Sequence, residues 1–242
     1  MLPVEAIVSR LYEQDAHKLA ALIKKNPLSI VVGEHGNGKS SILLPRVDEL
    51  LTAQGFGVVK IDDSELVGDH LNGRSLVNQI NNIFLATKKG VVILDEGRSL
   101  IGEGIDHAKK VTTLLRSNGY LVVPVIPYRC GRYEEDAVSQ VRIWEGVGRE
   151  LNGVVPPTFK LESKRLDQQL ARELLAQPKS GNDPLSPEVI DFILSRVPYN
   201  LRILDHFREY PPESIDDVEC EVAGKIDEWF KYTRLSEWSN KR

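Results

Sequence analysis

Hydrophobic positions follow two regimes along the chain. Between residues 11 and 23, Leu11, Ala16, Leu19, Ala20, Leu22 and Ile23 fall on one broad face of a helix. Asn26-Pro27 ends it, because the residue before a proline is pushed out of the α region. Short, nearly continuous apolar runs then recur: Leu28–Val32, Phe56–Ile61, Val91–Leu94, Tyr120–Ile126 and, more weakly, Thr158–Leu161. Such runs are too short for helices and mostly too continuous for strands wet on one face. They suit strands covered on both faces, that is, a parallel sheet with crossover helices. Alternating strands and helical stretches predict an α/β fold. Pro124 interrupts the fourth run and cannot donate a ladder hydrogen bond, which predicts a bulge or an early end to pairing there.

After Leu161 the period becomes helical throughout. Leu166, Leu170, Leu174 and Leu175 share a face. Ser186-Pro187-Glu188 reads as a helix start, with a hydroxyl cap, a proline in the first turn and an acid at the positive end of the helix dipole. Val189, Ile190, Ile193 and Leu194 follow it. Another helix follows Pro198 with Leu201, Ile203, Leu204 and Phe207, and Pro211-Pro212 breaks it. A last helix carries Ile215, Val218, Val222 and Ile226, with Trp229 and Phe230 beyond. The expected organisation is an α/β domain over 1–162, a small helical region over 163–210, and an amphipathic helix with a tail over 211–242.

Composition narrows the picture by exclusion. The chain of 242 residues has a net charge of −4, so bulk electrostatics do not announce a nucleic-acid partner, and a local basic patch is left open. Cys130 and Cys220 make neither a CxxC pair nor a zinc spacing, and a reducing compartment is the simpler reading. The histidines are scattered, which argues against structural zinc. The opening residues lack the basic and apolar regions of a signal peptide. No run approaches the roughly 18 apolar residues of a membrane span. A cytoplasmic protein is expected.

Two short motifs carry chemistry. Gly33, Glu34, His35, Gly36, Asn37, Gly38, Lys39 and Ser40 match G-x-x-x-x-G-K-[ST], between an apolar strand and a helix. The glycines let the backbone curl so that its N–H groups point at phosphate oxygens. Lys39 supplies charge to the β and γ phosphates, Ser40 offers a hydroxyl to Mg²⁺, and the helix opening at Ser41 presents its positive end to the same anion. Pro45 should kink that helix. Downstream, Val91-Val92-Ile93-Leu94 runs into Asp95-Glu96, which resembles a Walker B motif. Asp95 would hold the Mg²⁺ sphere, and Glu96 would orient and deprotonate a water. The catalytic candidates are thus Glu96 and Lys39; the metal candidates are Ser40 and Asp95.

This order of motifs, strands and trailing helices resembles the AAA+ ATPases, with the archaeal-ATPase and STAND branch and the ATPase module of replication initiators and helicase loaders. The resemblance covers about residues 10–210. It implies sheet order 5-1-4-3-2, a helical lid over 163–210, bound ATP and Mg²⁺, and assembly into a homo-oligomer. It implies a polar sensor at the end of the fourth strand, where Ile126-Pro127-Tyr128-Arg129 offers only Tyr128 or Arg129. It implies an arginine finger before the fifth strand, a position that Arg149 resembles, with Arg142 as competitor. A second sensor is sought in Arg196-Val197-Pro198-Tyr199-Asn200-Leu201-Arg202, where Tyr199 stands in the arginine's place and Arg202 comes too late to match.

The pairs Lys88-Lys89 and Lys109-Lys110 read as solvated helix ends. In the tail, Lys225, Lys231, Arg234, Lys241 and Arg242 interleave with Trp229, Phe230, Tyr232 and Trp238, a pattern able to bind nucleic acid. Acids in the same stretch favour packing of the aromatics instead. The tail is too short for a winged helix, which counts against a self-sufficient initiator. The leading expectation is a Mg²⁺-dependent, oligomeric ATPase acting on or near DNA. The alternative is a STAND-type nucleotide switch acting on a protein partner. A P-loop kinase is disfavoured by the Asp95-Glu96 pair, since phosphate transfer to a substrate needs no water-activating acid there.

Overall fold

The computed structural model describes residues 4–61, 90–95, 105–161, 166–179, 181–233 and 238. Helix α1 (Val4–Lys25) precedes β1 (Ile30–Glu34), α2 (Leu44–Thr52) and β2 (Gly57–Ile61). Then come β3 (Gly90–Leu94), α3 (Ile105–Ser117), β4 (Tyr120–Tyr128), the short α4 (Tyr133–Asp136), α5 (Val138–Asn152) and β5 (Thr158–Leu161). The strands form one parallel sheet in the order β2-β3-β4-β1-β5, as expected.

Side chains alternate between the two faces of a strand, and here both faces are buried. Val31, Val91, Ile93, Val123 and Val125 pack with Leu19 and Ile23 of α1 and Leu44, Val47 and Leu51 of α2. The intervening Ile30, Val32, Val92, Leu94, Val122 and Ile126 pack with Ala108, Val111 and Leu115 of α3 and Val141, Trp144 and Val147 of α5. Every residue of β1 and β3 is buried as a result. This is why the runs read as continuous rather than alternating.

β4 runs on without a bulge at Pro124, and of the two expected outcomes it is the interruption of pairing that is seen. Pro124 pairs with Leu94 as the last rung against β3. Its nitrogen points the same way as that of Val122, whose N–H donates to Pro27 and whose carbonyl accepts from Ser29. The lost bond therefore falls on the β1 side. There the ladder is split, with an isolated rung at Leu28↔Val122 and regular pairing resuming at Val31↔Val125.

Pro45 does not kink α2; it changes what precedes it. Residues Lys39–Leu43 form a π-helical turn, in which the carbonyl of Gly38 accepts from both Ile42 and Leu43 and that of Lys39 accepts from Leu44. Pro45 then stands in the first turn of α2, where a missing N–H is tolerated.

Beyond β5 the chain is helical: α6 (Gln168–Leu175), α7 (Pro187–Arg196), α8 (Leu201–Glu209) and α9 (Ile215–Trp229). Each has a side-chain N-cap. Asp167, Ser186 and Asn200 open the first three, and Ser214 with Asp217 forms a capping box at the fourth. Leu174, Leu175, Ile190, Ile193, Leu194, Ile203, Leu204, Phe207, Val218 and Trp229 join the core on the α1 and α2 side of the sheet. These helices therefore stand on the same side of the sheet as Leu43 of the turn that follows the glycine-rich loop. Among the described residues, no helix is long and apolar enough to cross a membrane.

Candidate functional site

The glycine-rich loop sits where β1 ends, at the carboxyl edge of the sheet, the edge where open α/β sheets bind ligands. Gly33 is required by crowding: a Cβ there would stand 2.8 Å from Asn37 Nδ2 and 2.9 Å from Lys39 Cδ. Gly38 is required by conformation, with φ of 77°, and a Cβ there would meet Ile42 at 2.9 Å. Lys39, buried, bends back over the loop. Its ammonium donates to the carbonyl of Gly33 at 2.8 Å, to that of Glu34 at 2.7 Å and to Asn37 Oδ1 at 3.3 Å. From below, the Tyr12 hydroxyl of α1 donates to the carbonyl of Asn37 at 2.5 Å, and Asn37 Nδ2 reaches the carbonyl of Leu161 at the end of β5. The end of β4 and the loop after it fix the other side of the loop. The N–H of His35 donates to the carbonyl of Tyr128, and buried Glu34 accepts the N–H of Gly131.

The second motif meets the first here. Asp95 follows β3 directly, and its N–H donates to the carbonyl of Ile61 at the end of β2. The Ser40 hydroxyl donates to Asp95 Oδ1 at 3.1 Å, across 55 residues of sequence. Asp95 is buried, whereas Ser40 and Ser41 are exposed on the open side of the loop. A hydroxyl and a carboxylate at this separation are hard oxygen donors, which Mg²⁺ takes together with waters and phosphate oxygens. The residues therefore fit a magnesium-bound phosphate. Asp95 has a second partner that the sequence reading did not single out: Lys60 of β2, whose ammonium lies 2.7 Å from Oδ2. Glu96 lies outside the described residues.

A cleft of about 370 Å³ opens between this loop and the C-terminal helices, lined by Gly36, Gly38, Ser41, Arg202, Trp229 and Tyr232 among others. Arg202 is placed here, although its position in the sequence argued against it. It stands in the first turn of α8, and a Cβ on Gly36 would be 3.1 Å from both Arg202 Cδ and Tyr232 Cδ1. The Arg202 guanidinium stacks on the Tyr232 ring at 4.5 Å. Buried Asn200 ties the two, accepting from the Arg202 N–H and donating to the carbonyl of Tyr232. The carbonyl of Lys231 accepts the N–H of Cys130 from the loop after β4. Residues Trp229–Thr233 are thus pinned between the end of β4, the start of α8 and the phosphate loop.

The remaining candidates lie elsewhere. Arg142 and Arg149 are exposed on α5. The Tyr128 ring faces the α3 and α5 core, edge-on to Tyr133 at 5.2 Å, and Arg129 is exposed. Lys109 pairs with Glu150, tying α3 to α5. Lys88, Lys89, Arg234, Lys241 and Arg242 lie outside the described residues. The tail aromatics pack: Trp229 and Tyr232 are buried, and Trp238 stacks on Trp229 and donates to Thr233. The sequence reading gives no role to Asn200 or Lys60, sets Arg202 aside as too late in the chain, and takes Tyr232 only as a tail aromatic. Only Lys60 had a readable signal, as a charged residue near the carboxyl end of a strand adjoining β3.

No family model matches this chain, and no curated protein matches it by sequence. Solved structures do. The AMPPCP-bound DnaA of Aquifex aeolicus superposes with a TM-score of 0.52 at 18% identity, over 90% of this chain and 67% of that one. A Walker-type ATPase of Pyrococcus abyssi gives 0.54 at 13%, over 92% and 76%. The Orc1 protein of Aeropyrum pernix, solved in complex with DNA, gives 0.50 at 15%, over 95% and 64%. The chain thus spans about two thirds of the two initiator chains. The five-stranded parallel sheet with the glycine-rich loop after its first strand agrees with these matches: the chain has the fold of the AAA+ P-loop ATPases.

Proposed function

We propose that this chain binds ATP with Mg²⁺ at the glycine-rich loop and hydrolyses it. The observation that carries the reading is the Ser40–Asp95 hydrogen bond, which joins two motifs 55 residues apart on one side of Lys39. The backbone of Gly33 to Ser41 cradles the phosphates, and Lys39 exchanges its carbonyl partners for phosphate oxygens. Ser40 and Asp95 hold the metal. Mg²⁺ held there would supply positive charge to offset the negative charge that develops on the transferring phosphoryl group. Glu96 accepts the proton of the attacking water. The helical region over 163–210 acts as the lid, and Arg202, at the start of α8, is the lid residue that meets the phosphates.

Steady-state hydrolysis and nucleotide binding test this together. Lys39→Ala should lose tight nucleotide binding. Glu96→Gln should keep binding and lose turnover by about 10²–10⁴-fold, the usual worth of a general base. Equal turnover in Glu96→Gln and the parent would remove Glu96 from the reaction.

The finer reading is an oligomeric ATPase in the cytoplasm acting on or near DNA, supported by the likeness to initiator folds. Stimulation of turnover by duplex DNA is its expected signature. A second reading is favoured by the pinned Trp229–Thr233 turn: a nucleotide switch acting on a protein partner. Slow turnover indifferent to DNA, with nucleotide retained through purification, would select the switch.

A further inference from the structure

Asp95 accepts from two sides. Ser40 holds Oδ1 at 3.1 Å, and the Lys60 ammonium stands 2.7 Å from Oδ2. Backbone geometry sets the second approach. In the β2–β3 ladder Lys60 pairs with Ile93 and Ile61 with Leu94, and the Asp95 N–H continues the pairing onto the carbonyl of Ile61. Asp95 therefore emerges beside the strand end that carries Lys60. The Asp95 side chain is 9% exposed and that of Lys60 41%. The carboxylate is held in place, whereas the ammonium, on a flexible four-carbon stem, has open solvent to move into.

We infer that Lys60 is the resident counter-ion of Asp95 and sets the divalent-cation affinity of this site. The inference rests on the ATP and Mg²⁺ reading above. A buried carboxylate without a counter-charge is costly, and Lys60 supplies one before any divalent ion arrives. A divalent ion that shares Asp95 with Lys60 is repelled by the ammonium at short range, where screening by solvent is incomplete. Metal entry is then an exchange of cations. The lysine leaves the carboxylate as the metal arrives, and the free-energy cost of that departure weakens metal binding.

The test is Mn²⁺ binding to the full chain, read as the loss of the electron paramagnetic resonance signal of free Mn²⁺ on adding protein, beyond the loss caused by a non-hydrolysable ATP analogue alone. Lys60→Met removes the charge at nearly the same length and should tighten Mn²⁺ about tenfold. Lys60→Arg keeps the charge and should leave the affinity within about twofold of the parent. Lys60→Gln gives a second neutral variant should Lys60→Met fold poorly, and the same tightening is expected. Affinity unchanged or weaker in the neutral variants would overturn the inference. Mn²⁺ binding that survives Asp95→Asn would overturn the reading of the site itself, and the inference with it. Binding that depends on Asp95 yet ignores the charge at 60 overturns the inference alone.

Discussion

At the scale of single residues, the site is set by crowding more than by charge. Gly38 holds a backbone angle that side chains avoid, and a Cβ there meets Ile42 at 2.9 Å and the Tyr12 hydroxyl at 3.2 Å. Gly38→Ala should therefore destabilise the fold by about 1–2 kcal/mol from the left-handed conformation, with crowding added. Chemical denaturation of the variant measures it, and a loss in stability below about 0.5 kcal/mol would show that the loop relaxes around the new methyl. Gly33, Gly36, Gly38, Lys39, Ser40 and Asp95 could be read in the sequence because their chemistry is local. A loop that cradles phosphate needs consecutive residues in order, and an acid after an apolar run marks a strand end. Lys60 and Arg202 could not be read in the same way. Each reaches the site from another element, and only the sheet register and the position of α8 bring them there.

At the scale of elements, α1 and α2 are clamped by Arg46, which donates from both Nε and Nη2 to the carboxylate of Glu13 at 2.8 Å. That hydrogen bonding holds the Glu13 carboxyl below its ordinary value, with the Coulombic pull of Arg46 and a bond from His17 acting the same way. A carboxyl whose titration is depressed in the folded state contributes stability above the ordinary carboxylate range, and loses it as pH falls through the lowered value. Arg46→Met should thus destabilise the protein at pH 7 and lose most of that effect near pH 3. Denaturant midpoints at the two pH values check this, and a difference independent of pH would mean that Arg46 acts through packing alone. Both side chains are about a third exposed, so solvent screening keeps the effect small.

Element identity was readable where the pattern had one cause. The runs of β1, β3 and β4 read as continuous because both their faces are buried, whereas the outer β2 and β5 keep partly exposed residues and β5 gave the weakest run. Pro124 met the local rule only in part, and Pro45 defeated it. The cost of a proline depends on where its missing N–H points. For Pro124 it points at a gap beside Ser29, and for Pro45 into a π turn whose bonds skip that position.

At the scale of the whole molecule, α5 carries Arg149 to the surface rather than into its own cleft. An arginine so placed does not line its own cleft, and as a finger it would have to act on a neighbouring copy. If it does, Arg149→Ala should lower turnover per subunit about 10³-fold or more at high protein concentration. It should change little at dilutions where the parent is monomeric. Turnover equal to the parent at both concentrations would remove the finger. A finger acting between copies is invisible to any reading of one chain.

The tryptophans divide by layer. Trp144 is buried in the α3 and α5 core, on the sheet face away from the phosphate loop. Trp229 and Trp238 stack at 6.3 Å, nearly parallel, at the turn that touches Gly36 through Tyr232. If ATP binds at the glycine-rich loop as proposed, ultraviolet excitation of the unlabelled protein should report it through Trp229 and Trp238, with Trp144 on the far side of the sheet as the internal reference. The molecule would then carry its own optical gauge of what occupies the loop.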